Sequence, residues 1–468
     1  MCLIASAIAF TFTFAACSDE EENVTDNGSD NNNGNDNDNT PKDSTENQIA
    51  NKWIYDEMKT WYYWNDKIAD ESSLDFNLDP DVTNGLFNSI LYTGTKYNAD
   101  NDKNQLRALY DKFSWIESYT ANAKAALAID LGFDFIPAYG NEAETKVVFI
   151  ISYVKPNTWA ANNGIKRGFI INKVDNSELT LSNWSSALYQ NKSSYTLEYA
   201  KNSSDYNNDI YSTIVLQRTP NYEDKPVMID TIYTVGSHKI GYMVFNTYGS
   251  DADQNDLNDN IYMIERLQNF TDQGITDLVL DLRYNGGGLV TTGVHLGSAL
   301  VPNRDVTKVY KKKKYNSLIQ ELDAMPEGYY LKESYLYDYF RDNIKWNNNT
   351  YNDIPKLGDQ LQTLCIIGTD YTASASEMTI NCLKPYYAQA GKNLYLIGWQ
   401  TVGKNVGSWT FEPDDSRIKW KLQPITFQSS NVNGESGYFD GFIPDVKIDD
   451  FKDLRTENYR SIGSRYVH

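Results

Sequence analysis

Apolar residues recur at different periods along this chain, and each period marks a different stretch. From Ile49 the run IANKWIYDEMKTWYYW spaces aromatic and aliphatic residues three or four apart, which predicts helix and a small helical domain over residues 48–118. Between Tyr119 and Lys201 the pattern changes to strand-like runs (KVVFIISYV, GFIINKV, YTLEYA) with one helix near Leu181 to Tyr189, giving a second unit over 119–205. Connecting strands follow over 206–236. From KIGYMVFNTY onward, strands alternate with helices: the helix IYMIERLQNF, the strand DLVLDLR, the loop YNGGG and a helix come first. A long polar insertion from Pro302 to Pro355 separates these from the strand TLCIIG, a further helix and the strand LYLIG. That alternation predicts an α/β domain over 237–455, followed by a tail over 456–468.

The two ends of the pattern are unlike the middle. Leu3 to Ala16 is an apolar stretch of signal-peptide length, too short to span a bilayer comfortably, and it ends FAAC at Cys17. Residues 18–47 are Asn, Asp, Gly and Ser around an acidic SDEEE, a composition that cannot bury enough apolar surface to offset chain entropy and so predicts a disordered tether. Small residues before a cysteine resemble the lipobox of bacterial lipoproteins, with 1–17 as the signal and Cys17 as the lipid-bearing residue. Acidic residues directly after it resemble the surface-export signal of Bacteroidetes lipoproteins. The implied location is the cell envelope, on the outer surface first and the periplasmic face second, with a membrane contact made through the anchor.

Composition narrows the partners. The chain has 468 residues, enough for two or three domains, and its 10 Trp and 35 Tyr can fill cores. A formal charge of −21 excludes a nucleic-acid backbone as the natural partner. The one basic run, Lys311 to Lys314, reads as a solvated loop. Of four cysteines, Cys365 and Cys382 read as small buried hydrophobes. No HExxH or paired CxxC is present, so no metal or cofactor is expected.

Three short segments could carry chemistry. TASASE places Ser374 at a strand-to-helix turn, where the N–H of Ala375 and the positive end of the helix favour an oxyanion, although a serine there also reads simply as a helix cap. The loop Asn285–Gly288 lets backbone approach a substrate closely, or is just a tight turn. TVGKNVG flanks Lys404 with glycines; a lysine acts as base only if burial lowers its pKa, and in isolation Lys404 reads as one exposed lysine among many. Histidine, the usual activator of serine, is scarce: His238 lies in a polar turn, His295 on the helix after the Gly-rich loop, and His468 ends the chain.

In their order, DLRYNGGG, TASASE and GKNVG, each following an apolar strand, closely resemble the C-terminal processing (tail-specific) serine peptidases, whose usual forms are DLRxNPGG, SASASE and TFGKG. The closing GYFDGFIPD resembles the family's GIxPD, and YVKPNTWAANNGIKRGFIINKVDNSEL resembles a PDZ domain. The resemblance covers about Ile49 to Ile448. It implies a multidomain α+β chain with a ClpP/crotonase-like protease core, an inserted PDZ-like domain and an N-terminal helical domain. Ser374 matches the nucleophile, Lys404 the general base, and the N–H groups of Gly287 and Ala375 the oxyanion hole. Asp281, Arg283 and Asn285 match loop-supporting positions. The best PDZ loop for a substrate's terminal carboxylate is Leu131, Gly132 and Phe133. Ser408 stands where many members carry an orienting glutamine, so the third catalytic residue stays open. The implied activity is endopeptidase cleavage of polypeptides. The alternatives are a surface peptide- or protein-binding lipoprotein that keeps the fold without turnover, and hydrolysis of a non-peptide ester or amide.

Overall fold

The computed structural model describes residues 44–450 apart from 81–84, 93–94, 98–105, 109–110, 119–130, 189–191, 220–221, 250–253, 324–335 and 347–348. The expected signal segment, Cys17, most of the tether and the tail at 456–468 lie outside the described residues. Among the described residues no helix is long and apolar enough to cross a membrane.

Helix α1 (Ser44–Trp61) turns Ala50, Ile54, Met58 and Trp61 to one side, the three-or-four spacing seen in the sequence. Its partners come from two distant parts of the chain. Leu86, Phe87, Ile90, Phe113 and Ile116 join it locally, and Val406, Ile418, Trp420, Leu422 and Ile425 complete the same core. The stretch before Ser118 is not helical throughout: Trp115–Ser118 is a strand, antiparallel to Trp420–Gln423. That partner lies some three hundred positions away, so local periodicity could not announce it. The N-terminal unit therefore shares a core with the segment that follows Lys404.

The second unit is an antiparallel sheet in the order Phe133–Tyr139, Val147–Val154, Ile170–Val174, Ser194–Ala200 and Ser212–Gln217. Among the described residues Phe133–Tyr139 is an edge strand, pairing with Val147–Val154 alone. A short helix, Trp159–Asn162, is capped by Thr158, whose side chain accepts from the Ala161 N–H. The connecting region 206–236 is divided between neighbours, since Ser212–Gln217 completes this sheet and the next strand opens the following one.

The third unit is built on a six-stranded sheet. Strands β1 (Val227–Val235) and β2 (His238–Phe245) are antiparallel. Strands β3 (Asp277–Asp281), β4 (Thr363–Gly368), β5 (Asn393–Gly398) and β6 (Val446–Lys447) then continue from β2 in parallel, in that order. Helices α2 (Gln254–Asp272), α3 (Val290–Leu300) and α4 (Ala375–Gln389) supply Leu267, Leu296 and Leu383 to the same apolar cluster as Leu280 and Ile366. Parallel strands deliver their C-terminal ends to one edge, and there the loops after β3, β4 and β5 meet. A second sheet contains Val309–Tyr315 paired with Ile425–Ser430. The basic run expected as a solvated loop is thus a strand, with Lys311 fully buried. Its charge faces Asp338, at 3.4 Å, a partner from the neighbouring strand that the local sequence did not reveal.

Candidate active site

Strand β4 carries the chain to Ser374, which caps α4 at φ 55° and ψ −114°. A non-glycine residue there is strained by roughly 1–3 kcal/mol, so neighbouring contacts must hold it. They come largely from the loop after β3. The Ala373 N–H donates to the Asn285 carbonyl at 3.1 Å, Ser376 Oγ to the same carbonyl at 3.1 Å, and Thr372 Oγ1 to the Leu282 carbonyl at 2.8 Å. Ser374 itself stays half-buried while the residues around it are buried. Ala375 begins the helix, so its N–H belongs to the set that a helix leaves without an internal partner.

The loop after β3 is fixed from below. Asn285 is buried and its Nδ2 donates to the Phe245 carbonyl at 2.8 Å. Arg283 grips buried Asp281, with Nη2 to Oδ2 at 2.6 Å, and reaches Asp450 at 2.9 Å. Tyr284 donates to Asp450 and accepts from Arg167 of the second unit at 2.9 Å, tying that unit to the loop. Gly287 has φ 101°, and a Cβ added to it would lie 2.7 Å from Ser374 Cβ and 2.8 Å from the Ala375 nitrogen. Only glycine fits so close to the serine. In this conformation, however, the Gly287 N–H donates to Asn285 Oδ1 at 2.9 Å rather than standing open.

Lys404 reaches the same place from the loop after β5, and a carboxylate that sequence reasoning did not single out joins the two. Glu377, fully buried in the first turn of α4, accepts from the Ser374 N–H at 3.0 Å and the Lys404 N–H at 2.7 Å. It also accepts from the Gly403 N–H and Thr401 Oγ1, both at 2.6 Å. Burial pushes its carboxyl above the usual range, and these four donors pull it back. The available signal was Ser-x-x-Glu at a helix start, a pattern in which the glutamate returns to the capping backbone N–H. Gly403, at φ 92°, packs against the Phe439 carbonyl, so the closing segment near Gly441 braces the lysine loop.

Part of the Lys404 surface stays open, yet protein crowds its amine enough for burial to bring its pKa down to about 8. Asp111 and Glu377 oppose that fall. A lysine so placed is neutral often enough near neutral pH to take a proton.

The other candidates fall elsewhere. Ser408 Oγ accepts from Gln423 at 2.7 Å, so a glutamine does stand beside Ser408, supplied by Trp420–Gln423. Leu131, Gly132 and Phe133 lie in the second unit at the start of its edge strand, all three buried. Gly132, at φ 80°, leaves no room for a Cβ beside Thr158, and its carbonyl accepts from the Lys155 N–H at 2.9 Å. His295 is buried on α3 against Asn260 at 2.8 Å, and burial lowers its pKa to about 3. His238 opens β2 and contacts Asp277. Cys382 is buried and Cys365 half-buried. Among the described residues no three His, Cys, Asp or Glu side chains gather as a metal site.

This arrangement can be set beside known proteins. Residues 239–448 match Peptidase family S41, and residues 50–115 match the Peptidase S41 N-terminal domain, together more than half the chain. The chain belongs to peptidase family S41. The S41 fold is shared with a solved structure from Bacteroides fragilis NCTC 9343 assigned to the S41 proteases. That structure is 21% identical at a TM-score of 0.59, over 88% of this chain and 93% of that one. The photosystem II D1 C-terminal processing protease is 16% identical at a TM-score of 0.44, covering 86% of this chain and 93% of its own. Mature CPAF complexed with lactacystin is 10% identical at 0.39, covering 86% and 94%. No curated protein matches this S41 family chain.

Proposed function

We propose that the protein is a serine endopeptidase in which Ser374 is the nucleophile and Lys404 the general base. The observation that carries this reading is the single buried carboxylate of Glu377 bonded to the backbone N–H of both residues, one of them with a strained backbone and the other with a lowered amine pKa. Ser374 Oγ attacks a peptide carbonyl while Lys404 takes its proton, and the resulting oxyanion is met by the Ala375 N–H. The C–N bond then breaks as Lys404 returns the proton to the leaving amine. Water, deprotonated by the same lysine, cleaves the acyl-serine and restores the enzyme.

The second unit is read as a PDZ-like domain. Its edge strand Phe133–Tyr139 offers a place for strand addition by a substrate's chain end, beginning at Leu131, Gly132 and Phe133. The lipobox-like Cys17 and the acidic tether support attachment at the cell envelope, on the outer surface.

One observation favours the alternative, a peptide-binding protein without turnover: the Gly287 N–H is directed to Asn285. Turnover requires that bond to yield to the oxyanion. Hydrolysis of casein or a peptide library by wild type, Ser374→Ala and Lys404→Ala decides between them. Loss in both variants supports the dyad; binding of C-terminal peptides with equal residual hydrolysis in all three overturns it.

A further inference from the structure

On the Ser374 and Lys404 assignment, the amine of the base has to be held in place. A lysine amine sits on a flexible four-carbon stem, and a base must be held in line with the hydroxyl it serves. Glu377 secures the Lys404 backbone, but its oxygens already accept from four donors. The amine itself lies elsewhere, 5.0 Å from the centre of the Phe113 ring. Phe113 belongs to the N-terminal unit, in the turn before the strand Trp115–Ser118.

That turn is folded around Asp111. Its Oδ1 accepts from the N–H groups of Phe113 and Ser114 at 3.0 and 2.9 Å. Asp111 is only 2% exposed, and its second oxygen, Oδ2, is buried, with the Tyr62 phenol as a neighbour that can hydrogen-bond the carboxylate. A buried carboxylate is costly unless a positive charge is near. Among the described residues Asp111 and Glu377 are the carboxylates whose charge acts on the Lys404 amine, Asp111 the more strongly, and each Glu377 oxygen already accepts from two other donors. The next cation along the chain, Lys112, packs on Phe113 at 5.1 Å and on Phe439 at 4.6 Å. Tyr62, buried beside Asp111, has its phenol pushed far up, first by burial and then by that carboxylate.

We infer that Asp111, carried in by the N-terminal unit, is the positioning residue that aims the Lys404 amine at Ser374 and stabilises the ammonium formed there. The inference rests on the Ser374 and Lys404 reading. The proton taken from Ser374 stays on Lys404 until it passes to the leaving amine. On this account the core sheet supplies nucleophile and base, but the base is complete only when Trp115–Ser118 docks on Trp420–Gln423 and brings Asp111 with it.

Asp111→Asn tests this, because the amide oxygen can still accept from the Phe113 and Ser114 N–H groups while the charge is gone. Removing a negative charge disfavours the ammonium, so the Lys404 midpoint falls by about one pH unit. Competitive acetylation of Lys404 across pH, read by mass spectrometry in a Ser374→Ala background, measures that midpoint without turnover. In otherwise wild-type enzyme the acid limb of kcat/KM moves down with it, and the plateau of kcat drops on the order of tenfold with KM little changed. If Asp111→Asn fails to fold, Asp111→Ser keeps an acceptor for the turn and serves in its place. A folded variant with wild-type midpoint and plateau overturns the inference. Should Lys404→Ala retain full hydrolysis, the dyad reading fails instead, while the acetylation midpoint still reports whether Asp111 acts on the amine.

Discussion

Lys311 and Lys404 are both held in protein-crowded surroundings that lower their pKa to about 8, and the proposed mechanism uses only Lys404. Lys311 lies in the strand Val309–Tyr315 with no exposed surface, over the Phe427 ring at 4.7 Å and beside Asp338 at 3.4 Å. Lys404 lies on a loop with part of its surface open, and its backbone shares a carboxylate with that of a strained serine. Burial explains both shifts, so the shift by itself does not identify a base. What separates the two is access to a substrate and the company of Ser374.

Substitutions at the two lysines break or sharpen that contrast. Lys404→Met removes the proposed base and lowers peptide hydrolysis at least about 10³-fold, whereas Lys311→Met leaves it unchanged; steady-state assays on one peptide check both. Glu377→Gln comes next. An amide nitrogen in place of one oxygen faces backbone N–H donors that need an acceptor, so denaturant unfolding should show a loss of roughly 2–4 kcal/mol together with a fall in hydrolysis. A smaller effect concerns pH. The protonated amine cannot accept a proton, so kcat/KM of the wild type rises as pH increases through about 8, and Lys311→Met leaves that midpoint where it was. The smallest effect is on stability at position 311. Asp338 still has Lys313 at 3.1 Å once the Lys311 amine is removed, so Lys311→Met shifts unfolding by about 1 kcal/mol or less, in either direction.

The parts of the site that were legible in the sequence are those made within one loop. Ser374 at a helix start, the glycines at 286–288 and Lys404 between glycines each stand where their motif put them, at the ends of neighbouring parallel strands. Glu377 was visible only as the fourth residue of Ser-x-x-Glu, and its bonds to Thr401, Gly403 and Lys404 depend on which loop packs against the helix. The basic run at 311–314 misled because polar composition indicates solvent only when no buried counter-charge is available, and Asp338 arrives from another strand.

The sequence by itself determined the local units: the amphipathic helix at 44–61, the alternation of strands and helices after His238, and the turns that only glycine can make at 287 and 403. These follow from side-chain period and backbone sterics, which act over a few residues. Tertiary structure alone decided which charges meet. It buried Lys311 against Asp338, and it set Asp111 where its charge acts on Lys404 by pairing Trp115–Ser118 with Trp420–Gln423. An electrostatic interaction depends on distance and burial in space, and spacing along the chain encodes neither.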